Sequence, residues 1–163
     1  MGATKEYATK NIRNVAVVGH AKAGKTTLVD GLAFVAGNAD RHGRVDDGTA
    51  LTQYREEEIA HSMSIYCTPA YAEWEGTKVN LLDTPGYVDF LGEVESAIRV
   101  ADGAIVVVGA KSGVGHGTTE AWSELDRRGV PRVVFVSKMD IEGANFQSTW
   151  QDARTPPGPP PRR

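Results

Sequence analysis

The sequence predicts an α/β protein with a mostly parallel sheet and helices on both faces. Short apolar runs typical of buried strands alternate along the chain with segments of helical periodicity. Strands that alternate with helices imply right-handed crossovers and therefore parallel pairing. Three motifs rich in glycine or charged residues each follow one of the apolar runs. Because ligands of such sheets bind beyond the carboxyl ends of the strands, these motifs are expected to meet.

The elements are predicted in chain order from periodicity and turn residues. Residues 15–18 form a buried strand, and apolar residues recur at helical spacing from 24 to 36. Residues 38–62 are polar with no clear period, which is typical of a functional or mobile loop. The later predicted elements are strands at 65–74 and 78–82, a helix near 88–98, a strand at 104–108, a glycine-rich loop at 113–117, a helix at 118–128, a strand at 133–136 and a short helix at 141–150.

The composition is that of an ordinary soluble globular protein. Of 163 residues, 40% are apolar and 24% are charged, and the net charge of −3 does not favour a nucleic-acid-binding protein. The single cysteine, Cys67, excludes an internal disulfide and fits a reducing compartment. The apolar runs are too short to span a bilayer, and the N-terminus lacks the apolar core of a secretory signal. We therefore expect a cytoplasmic protein with no membrane partner and no direct sequence-specific nucleic-acid binding.

The first motif has the pattern G-x-x-x-x-G-K-[ST] between a predicted strand and a predicted helix. Its glycines let backbone N–H groups surround phosphate oxygens, and the helix N-terminus adds a positive dipole end. Lys25 would neutralise the β and γ phosphates, and Thr26 would bind Mg²⁺. The alternative is a chance glycine-rich turn. The residues predicted to contact nucleotide here are Gly19, His20, Ala21, Lys22, Ala23, Gly24, Lys25, Thr26 and Thr27.

The second motif is Asp-Thr-Pro-Gly at residues 83–86. The carboxylate of Asp83 can hold Mg²⁺, usually through a water molecule. The N–H of Gly86 can reach the γ phosphate, and losing that contact on hydrolysis would release the following segment. Taken alone, the motif is also typical of an ordinary strand-to-turn exit. Its position relative to the first motif favours the functional interpretation, in which Thr84 and Pro85 also belong to the site.

The third motif is Ser-Lys-Met-Asp at residues 137–140, directly after a predicted buried strand. The carboxylate of Asp140 can accept two hydrogen bonds from the N1 and N2 donors of guanine. Adenine lacks that donor pair, so Asp140 would select GTP over ATP. Lys138 can lay its aliphatic stem along the base, with Ser137 and Met139 beside it. The alternative is a solvated polar loop.

These motifs resemble the G domain of elongation factor G, the translational GTPase that drives ribosomal translocation. The resemblance runs from about residue 11 to 146. It includes segments outside the three motifs, such as Val88-Asp89-Phe90 and Ser112-Gly113-Val114. The sequence looks most like the divergent second type of elongation-factor-G-like proteins. The resemblance implies a P-loop GTPase-type fold, GTP or GDP and Mg²⁺ as ligands, and the ribosome as partner.

Several positions depart from the family pattern, and in the stretch 60–65 His61 and Ser62 stand where the family usually has arginine and glycine. Lys22 stands where the family usually has an acidic residue that helps hold a monovalent cation, and its ammonium would supply that charge itself. Ser64 replaces a threonine whose hydroxyl reaches Mg²⁺, and serine keeps the hydroxyl. Tyr87 replaces the histidine that orients the attacking water. A phenol with an unperturbed pKa near ~10 is a poor base but can still position water, so we expect slow hydrolysis with Tyr87, Lys25 and Gly86 as the catalytic residues.

The resemblance also predicts what the chain lacks. The family's G domain continues past residue 146 with a base-binding loop, a last strand and a closing helix, followed by four more domains. We expect a flexible N-terminus at 1–10, an incomplete G domain at 11–150 and a proline-rich disordered tail at 151–163. The tail is either a ligand for a partner or the mark of a truncated or frameshifted gene. A missing strand and helix would leave the domain marginally stable.

Four functions remain open from the sequence. The first is an elongation-factor-G-like GTPase, and the second is a ribosome-associated GTP switch that barely hydrolyses. The third is a P-loop kinase using ATP, against which Asp140 and the Asp83 motif argue. The fourth is a fragment without function.

Overall fold

A computed structural model describes residues 5–154 and shows one sheet with the strand order β2-β3-β1-β4-β5. Strand β1 pairs in parallel with β3 and β4, β4 pairs in parallel with β5, and β2 is antiparallel to β3. The mostly parallel sheet predicted from the sequence is thereby confirmed. The strands are β1 Ile12–Val18, β2 Thr68–Trp74, β3 Thr77–Asp83, β4 Gly103–Gly109 and β5 Arg132–Ser137.

Helices cover both faces of the sheet, as predicted. On one face lie the helices α3 (Leu91–Val100), α4 (His116–Arg128) and α5 (Phe146–Arg154). They bury Ile98, Leu125 and Ala153 against alternate residues of β1 and β4. On the other face, α1 buries Val29 against Val17 and neighbouring residues of the sheet. The α-helices are α1 Lys25–Val35, α2 Glu56–His61, α3 Leu91–Val100, α4 His116–Arg128 and α5 Phe146–Arg154, and short 3₁₀ turns lie at Thr9–Asn11 and Val88–Phe90.

Strand β2 begins later than its sequence pattern predicts. The predicted strand started at residue 65, but the observed one starts at Thr68. The backbone N–H groups of Ile65 and Tyr66 donate to the Glu58 carboxylate, and that of Cys67 donates to Glu93. These N–H groups are therefore bound by side chains. The segment from 38 to 62, predicted as a loop, also contains the short helix α2 that carries Glu58.

The last helix is shifted towards the C-terminus. It was predicted at 141–150 but runs over Phe146–Arg154, so it includes residues 151–154 that the predicted domain division placed in the tail. Asn145 explains the start, because its side-chain oxygen accepts the N–H of Ser148 as an N-terminal cap. The remaining predicted tail, 155–163, and residues 1–4 of the predicted flexible N-terminus lie outside the described residues.

Strand β5 lies at the edge of the sheet formed within residues 5–154. Its side chains Val133 and Phe135 are 62% and 42% exposed, although both are apolar. Strand β5 therefore presents apolar side chains at an edge that is open to further pairing within the described residues.

Candidate nucleotide-binding site

The parallel register brings the three sequence motifs to one edge of the sheet. Val17 at the end of β1 pairs with Asp83 at the end of β3, and Gly109 of β4 pairs with Ser137 of β5. A cavity of about 620 Å³ opens at this edge. It is lined by residues of all three motifs, namely Ala21, Lys22, Gly24, Lys25, Thr26, Thr27, Gly86, Tyr87 and Lys138.

The first motif forms a tight loop between β1 and α1. Gly19 and Gly24 have φ angles of 142° and 95°, in the region that favours glycine. A side chain at Gly19 would collide with the backbone carbonyl of Val107. Gly24 is the N-cap of α1, and no side chain of the described chain caps that helix end. The first-turn N–H groups are thus free to bind an anion.

Lys25 is buried in the cavity wall, with only 6% of its surface exposed. Its Nζ donates to the carbonyl oxygens of Gly19 and His20 at 3.1 and 3.0 Å. Burial lowers the pKa of Lys25 to about 8, an effect opposed by the nearby Asp83 carboxylate. A buried ammonium bound only to neutral carbonyls is under-compensated, which makes it a strong point of attachment for a phosphate.

Asp83, the first residue of the second motif, is buried at 2% exposure. Its Oδ2 accepts the hydroxyl of Thr52 at 2.6 Å, and its Oδ1 has no hydrogen-bond partner within the described part of the chain. Burial raises the pKa of this carboxyl, and the Thr52 bond lowers it in part. The hydroxyls of Thr26 and Ser64 lie 3.2 Å apart. An orphaned carboxylate oxygen and paired hydroxyls fit Mg²⁺, which prefers oxygen ligands and retains waters.

The second motif packs its glycine directly on the first. A Cβ at Gly86 would lie 2.6 Å from Cα of Ala21 and 2.5 Å from Nζ of Lys25, so only glycine fits. Thr84 turns away from the cavity and donates its hydroxyl to the Val17 carbonyl at 2.8 Å. Tyr87 lies at the cavity wall and is half-buried.

The third motif contributes Lys138 to the cavity, whereas Asp140 does not line it. Lys138 adopts a left-handed backbone conformation with φ of 57°. Ser137 fixes the loop by donating its hydroxyl to the Ala23 carbonyl at 2.6 Å. Asp140 and Met139 are exposed on the same loop. The hydroxyl of Ser137 therefore connects the third motif to the first motif.

His20 joins the phosphate loop to the start of α4. Its backbone N–H donates to Oγ1 of Thr118 at 3.0 Å, and its Nδ1 accepts the N–H of Gly117 at 3.3 Å. Burial, followed by the nearby positive charge of Lys25, lowers the pKa of His20. A neutral ring keeps Nδ1 available as an acceptor.

Sequence reasoning did not single out residues 42–46 of the opposite cavity wall or the Thr52 partner of Asp83. The wall comes from the polar segment predicted only as a functional or mobile loop. Its cavity-lining residues are His42, Gly43, Arg44, Val45, Asp46, Ser62 and Met63, beside the predicted Ser64. No periodicity or motif marks residues 42–46, for which the length of the loop is the only signal, whereas Ser62 and Met63 lie in the stretch 60–65 that was compared with the family pattern.

The family profile of the elongation factor Tu GTP-binding domain matches residues 10–156. The chain belongs to this family. Elongation factor G 2 of Streptomyces coelicolor is a curated relative that is 38% identical over 143 residues, covering 88% of this chain and 21% of the relative. The chain thus spans about a fifth of that relative's length.

Two solved structures share the fold of this elongation factor Tu-type domain. A protein of Thermus thermophilus superposes with a TM-score of 0.84 at 43% identity, covering 88% of this chain and 22% of that one. The elongation factor SelB of Methanococcus maripaludis, solved with the GTP analogue GppNHp, gives 0.64 at 25% identity, covering 87% of this chain and 25% of SelB. The resemblance to elongation factor G inferred from the sequence is confirmed.

The chain is therefore a G domain homologous to those of translational GTPases. Among the helices of residues 5–154, none has the length and apolar character needed to cross a membrane.

Proposed function

We propose that this chain binds GTP and GDP with Mg²⁺ and forms part of a cytoplasmic translational GTPase that acts on the ribosome. The observation that carries the proposal is the shared cavity: Lys25, Gly86 and Lys138, one from each motif, line the same space of about 620 Å³. Membership of the elongation factor Tu GTP-binding domain family supports the same ligand.

The phosphates bind the N-terminus of α1 and the buried ammonium of Lys25. On binding, phosphate oxygens replace the carbonyl oxygens of Gly19 and His20 as acceptors for Nζ. Gly86 presents its N–H to the γ phosphate, a role that fits its close packing on Ala21. These contacts position the reacting phosphate and offset its negative charge.

The base binds at the third motif. The stem of Lys138 lies along the base, and Asp140 accepts the two guanine donors. Asp140 is exposed two residues after Lys138, on the loop that Ser137 anchors, so its carboxylate is open to a base.

Thr26, Ser64 and, through water, Asp83 would hold Mg²⁺. When bound, Mg²⁺ supplies positive charge to the phosphate oxygens. Asp83 keeps Oδ1 available for this role, and Thr52 orients the carboxylate through Oδ2.

Lys22 supplies a fixed positive charge beside the phosphates. It lines the cavity and holds a left-handed backbone conformation with φ of 59°, which is uncommon for a residue other than glycine. Nucleotide binding should then be independent of potassium and weakened by Lys22→Ala. Potassium-dependent binding that Lys22→Ala leaves unchanged would refute this role.

Hydrolysis is slow because Tyr87 positions water without acting as an efficient base. Single-turnover GTP hydrolysis on ribosomes should be faster in Tyr87→His than in wild type. An unchanged rate would show that Tyr87 does not limit the chemical step. The same residue favours a second candidate function, a ribosome-associated GTP switch with little hydrolysis, and measuring turnover with and without ribosomes separates the two.

The binding proposal is tested by titrating the purified chain with fluorescent GDP and Mg²⁺, competing with GTP and ATP, and recording circular dichroism on the same sample. We expect saturable binding that GTP displaces and ATP does not, with a folded spectrum. Lys25→Ala serves as the matched variant and should lose binding while keeping the spectrum. A folded chain that binds no guanine nucleotide would overturn the proposal.

A further inference from the structure

A buried aspartate on α1 binds both ends of the loop that forms the opposite wall of the cavity. Asp30 is 1% exposed. Its Oδ2 accepts the N–H of Gly43 at 2.6 Å, and its Oδ1 accepts the N–H of Leu51 at 2.7 Å. His42 Nε2 lies 3.7 Å from Oδ2. One carboxylate therefore holds both ends of residues 43–51, which we call the wall loop.

The wall loop is compact in itself. Inside it, the N–H of Gly48 donates to the Val45 carbonyl at 3.1 Å, and the N–H of Thr49 donates to the Arg44 carbonyl at 3.0 Å. The N–H of Arg44 in turn donates to Oγ1 of Thr49. A side chain at Gly43 would collide with the backbone of Thr49. The loop is thus a closed unit whose attachment to the domain depends strongly on Asp30.

The attachment point matters because the same helix carries the phosphate-binding residues. Helix α1 begins at Lys25, and Lys25 and Thr26 line one side of the cavity. The first four residues of the wall loop, from Gly43 to Asp46, line the cavity as well. Asp30 lies behind the cavity wall and does not itself line the cavity. It links the two walls through its hydrogen bonds to Gly43 and Leu51.

We propose that Asp30 is a positioning residue that holds the wall loop against the nucleotide and sets how long the nucleotide stays bound. This inference rests on the proposed nucleotide binding. Hydrogen bonds from N–H groups to a buried carboxylate are stronger than neutral ones. With both bonds in place the wall is formed before the ligand arrives, so binding does not have to order it.

Asp30→Asn is the informative variant because it preserves size. The amide keeps one acceptor oxygen but turns an NH₂ donor towards the second N–H, which loses its partner. The loss of one charge-assisted hydrogen bond corresponds to a roughly tenfold larger open fraction of the loop. We therefore expect GDP to dissociate roughly tenfold faster, with a much smaller change in the association rate.

The control is Asp102→Asn, the same substitution at an exposed carboxylate. Asp102 also accepts a backbone N–H, that of Asn14 at 2.8 Å, but it lies at the opposite end of β1 from the cavity. The assay is stopped-flow dissociation of fluorescent GDP with Mg²⁺ for wild type, Asp30→Asn and Asp102→Asn. Only Asp30→Asn should accelerate dissociation.

Amide hydrogen exchange on the nucleotide-free wild-type chain provides a test that needs neither a variant nor a ligand. The N–H groups of Gly43 and Leu51 should be protected, because each donates to a buried carboxylate. Free exchange at both would overturn the proposal even if Asp30→Asn failed to fold.

The kinetic outcomes separate this inference from the proposed function. Wild type that binds GDP, with Asp30→Asn dissociating at the wild-type rate, overturns the role of Asp30 alone. Equal acceleration by Asp102→Asn also overturns it, because the effect would then be general destabilisation. A wild-type chain that binds no GDP overturns both.

Discussion

Replacing Thr52 by valine tests the buried contact that orients Asp83. Thr52 is 4% exposed, and its hydroxyl donates to Oδ2 of Asp83 at 2.6 Å. Valine has nearly the same shape but cannot donate. The other oxygen of Asp83 has no hydrogen-bond partner within residues 5–154, so in the variant only the nearby Lys25 charge and Thr26 hydroxyl offset the buried carboxylate. Hydrogen bonds to charged groups contribute about 1.5–3 kcal/mol, and we expect a loss near the upper end of that range.

Thr149→Val is the reference variant, against which the loss of unfolding free energy in Thr52→Val is compared. Thr149 is 2% exposed, and its hydroxyl donates to the neutral backbone carbonyls of Ala110 and Asn145 at 2.9 and 2.8 Å. The same substitution at an equally buried site should cost only about 1 kcal/mol, because the acceptors are uncharged and the Asn145 carbonyl belongs to the same helix turn.

Urea unfolding of the nucleotide-free chain, followed by circular dichroism, measures both changes. With a urea dependence of about 2 kcal/mol per M, the midpoint should fall by about 1.5 M in Thr52→Val and by about 0.5 M in Thr149→Val. A Thr52→Val loss equal to or smaller than that of Thr149→Val would refute the reasoning. It would mean that Asp83 is compensated in solution by water or by another group.

Three further predictions concern the cavity. Gly86→Ala should weaken GDP binding about tenfold in a fluorescence titration, because the new methyl group meets Ala21; unchanged affinity would contradict the close packing. Asp140→Asn should reduce the preference for GTP over ATP in competition, and an unaltered preference would place base recognition elsewhere. Burial lowers the pKa of His20 in the folded chain. As the pH drops below about 6.5, His20 is therefore protonated in the unfolded chain before it is protonated in the folded chain, and the free energy of unfolding should fall. In urea unfolding between pH 8 and 5, His20→Asn should reduce the dependence of the free energy of unfolding on pH. An equally strong dependence in the variant would exclude His20 as its cause.

Local patterns in the sequence were sufficient for the sheet and for the first motif of the candidate site. The apolar runs predicted the buried strands, because a parallel strand covered on both faces has few polar residues. The phosphate loop was identified because its glycines are required by φ and by close packing, as at Gly19 and Gly24. In such a motif, the chemistry is encoded within a few consecutive residues, so a single sequence reveals it.

Contacts between distant residues escaped prediction for the opposite reason. Ile65 and Tyr66 look like the start of a strand, but the Glu58 carboxylate binds their N–H groups. Similarly, nothing in the sequence of α1 marks Asp30 as the partner of Gly43 and Leu51. A buried carboxylate takes whichever N–H groups the folded backbone brings to it, and this pairing has no periodicity or fixed spacing.

The sequence by itself determined the α/β class and the three motifs, since each depends on neighbours along the chain. Only the tertiary structure decided which wall faces those residues and what holds it there. Lys25 and Thr26 are set by their motif, but their distance from Arg44 across the cavity depends on Asp30. That distance is a property of the packed backbone, because long-range hydrogen bonds form only once the chain has folded.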